Sequence, residues 1–169
     1  SKNWINRQRR DIYVRKSKVE GYRSRAVYKL EEINQKFKIF HNGASVLDLG
    51  AAPGSWTQYI SKNYKNIKLA SIDLEKFDEV RNVFQITGDF TEDIYKEKIL
   101  NFFQDKIDIV VSDMAVNTTG NKNLDSIQTS ELCLDAMRFS KEVLKKDGVF
   151  VSKIFIGSTF NEIIDESKK

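Results

Sequence analysis

Cysteine, histidine and proline each occur once in this 169-residue chain, as Cys133, His41 and Pro53. A lone cysteine excludes an internal disulfide and a cysteine-based zinc site, and it fits a reducing compartment. A lone histidine, set in a polar turn before Gly43, argues against His-centred catalysis or metal binding. No apolar run approaches the roughly 18 residues that span a bilayer. The chain is therefore read as soluble, with no membrane partner, in the cytoplasm or, in a eukaryote, in an organelle or the nucleus. There is no repeat or low-complexity tract, and 40% of residues are hydrophobic and 11% aromatic, so the composition is that of a globular protein. Its length suits a single domain, residues 1–169, with one core.

Acidic residues are scarce at the start. Residues 1–30 hold ten Lys or Arg against Asp11 and Glu20, a net charge of +8, while the remainder carries 18 cations against 22 anions, a net of −4. Trp4, Tyr13, Tyr22 and Tyr28 are interleaved with those cations. Cations for phosphates together with flat rings for bases make a single-stranded nucleic-acid surface, so residues 1–30 are read as an RNA-binding segment.

What is present in strength is the run from Val46 to Trp56, Val-Leu-Asp-Leu-Gly-Ala-Ala-Pro-Gly-Ser-Trp. It reads as an apolar strand, a small-residue turn and the opening of a helix. Gly50, Ala51, Ala52 and Gly54 leave little bulk, so a ligand can approach backbone N–H groups at the helix start. The spacing is not G-x-G-x-x-G and Pro53 removes one donor, which disfavours a dinucleotide pyrophosphate. A cofactor with an amino-acid end and an adenosine end fits better, with Asp48 for a cationic amine and N–H groups for a carboxylate. S-adenosylmethionine has that make-up.

Further along, Ala26, Leu30, Ile33 and Phe37 recur at helical spacing, and Lys29 falls on the same stripe, which predicts that it faces inward. Strands are predicted at Val46–Leu49, Lys68–Ile72, Val83–Thr87, Ile107–Val111 and Val149–Ile156. Helices are predicted over Ser55–Tyr64, from a Thr91 cap to about Phe103, over Ile127–Lys146, and over Thr159–Lys169. Cys133 lies within the third of these and is read as a packing residue. Alternating strands and helices imply right-handed βαβ units and a doubly wound, mostly parallel α/β sheet of Rossmann type with helices on both faces.

Ligands of such sheets bind beyond the carboxyl ends of the strands. Asp48, Asp73, Asp89 and Asp113 stand at four successive strand ends. Asp73 is placed for the ribose hydroxyls of an adenosine, Asp89 for its adenine amino group and Asp113 for the methionine end. Lys153 is a cation inside an apolar strand, a setting that demands a partner or a function, and the neighbouring strand offers Asp113. A free lysine is neutral only about once in 2,500 at pH 7, roughly 4.6 kcal/mol against acting as a base. Desolvation and a second ammonium lower that barrier, and a lysine so tuned can deprotonate a hydroxyl.

Four segments now carry a family resemblance: Arg23-Ser24-Arg25-Ala26-Val27-Tyr28-Lys29-Leu30, Asp48 to Trp56, Ser112-Asp113-Met114-Ala115 with Asn117, and Val151-Ser152-Lys153-Ile154-Phe155. In order, and over nearly the whole chain, they resemble the FtsJ (RrmJ) family of S-adenosylmethionine-dependent RNA 2′-O-ribose methyltransferases. The resemblance implies that Lys29, Asp113 and Lys153 are three members of a Lys-Asp-Lys-Glu catalytic tetrad, with Lys153 as proton acceptor. It also implies that Gly54, Trp56, Asp73, Asp89 and Asp113 bind the cofactor. No metal is required, because the leaving group is already a cation.

Trp4 with Arg7-Gln8 and the Ser-Asp-Met-Ala segment resemble the large-subunit rRNA branch of the family. Ser55, and Asp11-Ile12-Tyr13 with Arg15-Lys16, resemble the tRNA anticodon-loop branch, and Val116 replaces a proline usual in the family. The reading adopted is a monomeric enzyme acting on large-subunit rRNA. Its alternatives are a tRNA or mRNA-cap enzyme of the same chemistry and an RNA-binding assembly factor without turnover. In the family the tetrad closes with a glutamate well beyond the second lysine, but only 16 residues follow Lys153 here and they read as a turn and a helix carrying Glu162 and Glu166 toward solvent. The expectation is that neither is the missing carboxylate, and that the final strands are absent, leaving an apolar edge at the last strand.

Overall fold

The computed structural model describes residues 2–115, 119–154, 157 and 159–169. Val116, Asn117, Phe155 and Ile156, on which parts of the sequence reading rest, lie outside them. Helix α1 (Lys2–Glu20) precedes α2 (Val27–Phe37), and then strands and helices alternate: β1 (Ser45–Leu49), α3 (Ser55–Asn63), β2 (Lys68–Asp73), β3 (Phe84–Thr87), α4 (Asp93–Phe103), β4 (Ile107–Ser112), α5 (Lys122–Val143), β5 (Leu144–Ser152) and α6 (Phe160–Ser167). The five strands form one sheet in the order β3-β2-β1-β4-β5, with every pairing parallel. The order reverses between β1 and β4, which makes their carboxyl ends the switch point where such sheets bind ligands.

Strand alternation divides the core between the two faces. Leu47 and Leu49 of β1 pack with Phe103, Phe139 and Val143 on the α4/α5 face, while Val46 packs with Leu30, Trp56 and Ile60 on the α2/α3 face. Cys133 is buried against Leu134, Met137 and Ile163, in the packing role expected of it.

Several boundaries differ from the sequence reading; α5, for example, begins at Lys122 rather than Ile127. The N-terminal segment is a 19-residue helix, Lys2–Glu20, ended by Gly21, and its only buried residue is Ser17. It offers no inward apolar stripe for a periodicity count to detect. Helix α4 is preceded by Glu92 rather than capped by Thr91, whose hydroxyl instead donates to Asp89 Oδ1 at 2.7 Å. Finally, α5 ends at Val143 and β5 begins at once, because Leu144 already pairs with Ile107 and Lys145 Nζ lies 2.8 Å from Asp108 Oδ1. The Lys145-Lys146-Gly148 signal for a helix end thus falls in an irregular stretch of ladder between β4 and β5.

Candidate active site

The carboxyl ends of the strands surround a cleft of about 640 Å³. Gly50, Asp73, Asp89 and Asp113 line it together with the apolar side chains of Ile72, Leu74, Phe90, Met114 and Leu132. Glu75 and Asp135 add two further carboxylates that the sequence reading did not single out. Leu132 and Asp135 are three apart on α5 and so share a helix face; that spacing was the available signal. An apolar cleft rimmed by five carboxylates suits a ligand with a flat aromatic end, vicinal hydroxyls and a net positive charge.

Register brings the central pair together. Ser112 of β4 pairs with Ser152 of β5, so the next residues, Asp113 and Lys153, leave the sheet side by side. Lys153 N donates to Ser112 O at 2.9 Å, and Lys153 Nζ lies 2.9 Å from Asp113 Oδ1 and 3.3 Å from Asp113 O. Lys153 therefore stands just past the strand rather than inside it, with its ammonium half-buried beside the partner that strand order predicts.

The other carboxylates are held by local backbone. Asp73 Oδ2 accepts from Ala52 N at 2.9 Å and its Oδ1 from Glu75 N at 2.8 Å, which ties the β1–α3 loop to the end of β2. Gly50 N and Ala51 N both donate to Ile72 O, so the first three N–H groups of that loop are engaged with β2 and are not offered to a ligand carboxylate. Asp89 Oδ1 accepts from both Thr91 N and Thr91 Oγ1.

Asp48, Gly54 and Trp56 do not line the cleft, contrary to expectation. Asp48 is even-numbered on β1, so it points to the α2/α3 face, where it is buried and accepts from Thr57 Oγ1 at 2.7 Å. Its Oδ1 has no partner, and burial, with smaller contributions from Asp113 and Asp73, pushes its carboxyl up to about 7. Trp56 is buried and donates from Nε1 to Ala26 O at 2.9 Å, bracing α2 against α3. Gly54, at φ 103°, would bring a Cβ within 2.6 Å of Arg23 Nη1.

Lys29 is the clearest correction. The buried stripe of α2 is Val27, Tyr28, Leu30 and Asn34, one position away from the apolar count, and Phe37 is exposed. Asn34 takes a core position because its side chain meets Tyr64 Oη, Ile39 N and Phe40 N, a polar satisfaction that hydrophobic periodicity does not register. Lys29 accordingly points outward, with 66% of its side chain exposed, and pairs with Glu32 Oε2 at 3.1 Å. Glu162 is exposed, as expected, but Glu166 is half-buried between Lys141 and Lys169 on α6.

Among the described residues there is no cluster of three or more His, Cys, Asp or Glu able to hold a metal ion, and no helix is long and apolar enough to cross a membrane. Residues 22–169 match the family model described as FtsJ-like methyltransferase. Ribosomal RNA large subunit methyltransferase E of Pelagibacter ubique (strain HTCC1062) is 62% identical over 169 residues, all of this chain and 83% of that protein. The protein of the same name from Rickettsia akari (strain Hartford) is 46% identical over 174 residues, 99% of this chain and 77% of its own. A crystal structure described as that of a ribosomal RNA methyltransferase from Plasmodium falciparum matches with a TM-score of 0.80 and 35% identity, covering 87% of this chain and 86% of that one. Fold, cleft and sequence agree, and the chain belongs to the FtsJ-like methyltransferase family, whose members are S-adenosylmethionine-dependent enzymes.

Proposed function

We propose that this protein methylates a ribose 2′-hydroxyl of large-subunit rRNA, and that Lys153 and Asp113 carry the chemistry. The observation that carries the reading is the Lys153–Asp113 pair, 2.9 Å apart, at a cleft whose lining suits the cofactor. S-adenosylmethionine is a cation with an apolar purine and a ribose diol, which matches a cleft of carboxylates and apolar walls. Its placement is supported by Asp73, which accepts one backbone N–H on each oxygen, and Asp89, which accepts on Oδ1 alone, so that both have lone pairs left for a hydroxyl or an amino group. Asp48, Gly54 and Trp56 then serve from behind the wall, fixing the loop rather than touching the cofactor.

The bound cofactor supplies a methyl group on a cationic sulfur, ready for in-line displacement. Acting as the base, Lys153 Nζ takes the 2′-hydroxyl proton as the oxygen attacks, and Asp113 holds that nitrogen in line by its hydrogen bond. Lys29 enters through the family resemblance alone, and to reach the ribose it must first leave Glu32. Helix α1 supplies the RNA surface, because residues 2–13 are exposed throughout and carry Arg7, Arg9, Arg10, Trp4 and Tyr13.

The names of the relatives from Pelagibacter and Rickettsia support rRNA as the substrate. The reading includes a cytoplasmic monomer; the reducing compartment is supported by a single cysteine, which is free and buried. Radiolabelled S-adenosylmethionine should label large-subunit rRNA and not tRNA, with the label mapping to a ribose. Label in tRNA, or on a base, refutes the assignment.

A further inference from the structure

The segment that joins α1 to α2, residues 21–26, lies against the cofactor loop and the first turns of α3, and it is stitched there by side chains of both partners. Arg23 N donates to Gln58 Oε1 at 3.0 Å and Gln58 Nε2 returns to Gly21 O at 3.3 Å. Ser24 Oγ and Ser55 Oγ are 2.8 Å apart, and Trp56 Nε1 holds Ala26 O. The Arg23 guanidinium goes further. Nη1 donates to Pro53 O at 2.9 Å and to Asp78 O at 2.7 Å, while Nη2 donates to Glu79 O at 2.9 Å, above the ring of Phe77. Pro53 follows Ala52 in the loop after β1, and residues 78–79 belong to the connection after β2 whose first residues, Leu74 and Glu75, line the cleft. One planar fork thus grips two walls of the cofactor cleft from outside, and the same residue belongs to the hinge of the basic helix. Gly54 fits this arrangement, because any Cβ there would meet both the guanidinium and Phe77.

A ligand that rests on Ala52, Asp73 and Glu75 restrains both walls from within. Because Arg23 binds those walls to each other and to residues 21–26, restraining them also restrains the root of α1, and a second ligand on α1 then has less freedom left to remove. We propose that Arg23 is a positioning residue that couples the two sites, so that an occupied cofactor cleft tightens RNA binding and bound RNA tightens cofactor binding by the same factor. This rests on the reading of α1 as the RNA surface. A lysine cannot replace the arginine, since a single ammonium cannot present three donors in one plane to three carbonyls on two loops.

The test measures affinity rather than turnover. Binding of a fluorescein-labelled RNA oligonucleotide is titrated with and without saturating S-adenosylhomocysteine, and binding of S-adenosylhomocysteine with and without the RNA. In the wild-type protein each ligand should tighten the other equally, by a factor within the roughly 5- to 150-fold range of such couplings. Arg23→Lys should bring that factor close to one while each affinity measured alone stays within a few-fold, a pattern that general loosening of the fold would not give. Should Arg23→Lys fail to fold, Gln58→Met removes two bonds of the same seam and should lower the same factor. Independent binding in the wild-type protein, or full coupling in whichever variant folds, overturns the inference. A triple substitution of Arg7, Arg9 and Arg10 separates it from the reading beneath. If that variant binds RNA as well as the wild type, the role of α1 fails; if it loses affinity while the wild type shows no coupling, only the inference about Arg23 fails.

Discussion

Asp48 and Lys153 are both charged side chains in or beside apolar strands, yet the structure treats them oppositely. Lys153 has a carboxylate within 2.9 Å and is partly open to solvent, whereas Asp48 has a hydroxyl, an orphan oxygen and no solvent. Lys153→Ala should remove turnover while cofactor affinity stays within a few-fold, because the amine acts on the proton that moves in the transition state; substantial residual methylation would contradict the assignment. For Asp48 the consequence is a pH-dependent stability. Its native carboxyl titrates near 7, far above the ordinary value of 3.8, so between those limits the unfolded chain gives up the proton and the folded one keeps it. The contribution is complete below about pH 4, declines as pH rises, by at most about 1.4 kcal/mol per pH unit, and is gone above about pH 7. Asp48→Asn keeps an acceptor for Thr57 and cannot ionise. Urea unfolding at pH 5 and at pH 7.5 should show a smaller loss for the variant than for the wild type, and equal losses would mean that Asp48 is ionised in the native state throughout.

Among the elements, α1 is the one whose existence owes least to packing. It meets the rest of the chain through its second half, where the Tyr13 and Tyr28 rings stand 5.3 Å apart, Lys16 lies over Tyr28 and Tyr28 Oη donates to Glu20 Oε2 at 2.8 Å. A helix of this length is marginal in water on its own, and like charges along it oppose its formation. Phosphates would relieve that repulsion. Neutralising Arg7, Arg9 and Arg10 should therefore weaken RNA binding and flatten its dependence on salt by about 0.7 in log–log slope for each phosphate that the protein no longer neutralises. An unchanged slope in fluorescence titrations would show that these arginines do not meet the backbone. The sequence disclosed the charge of this element but not its helicity, because Ser17 alone on it is fully buried and no apolar stripe marks an inner face. The same blindness to polar burial displaced the inner face of α2, where Asn34 fills a core position and Lys29 is sent to solvent. Strand ends were far more legible. The first four strands each run into an Asp or Gly, and parallel register converts those stops into the wall of a cleft.

For the molecule as a whole, charge is separated by function. A net of +8 lies in residues 1–30 and −4 in the remainder, where carboxylates rim the cleft. On the proposed reading, this polarity would draw RNA phosphates to α1, while the carboxylate-rimmed cleft would favour a small cation. Much of this was readable from order alone, since the acidic strand ends and the basic start are linear features. The seam at Arg23 was not, because it joins residues 30 to 56 positions apart and depends on backbone carbonyls that no sequence pattern marks. Charge separation makes the two binding events respond differently to salt. RNA binding releases condensed counterions with every phosphate neutralised, so raising salt from about 50 to 200 mM should cost orders of magnitude in affinity if six or more phosphates are engaged. Cofactor binding involves one net charge held at short range behind apolar walls, where screening is weak, so the same change should alter it by a few-fold at most. Isothermal titration of S-adenosylmethionine beside fluorescence titration of RNA, at both salt concentrations, reads the two slopes in one protein. A cofactor affinity that falls in parallel with RNA affinity would mean that the cleft binds its ligand through exposed, screened charge, and that the carboxylates at the strand ends do not touch it.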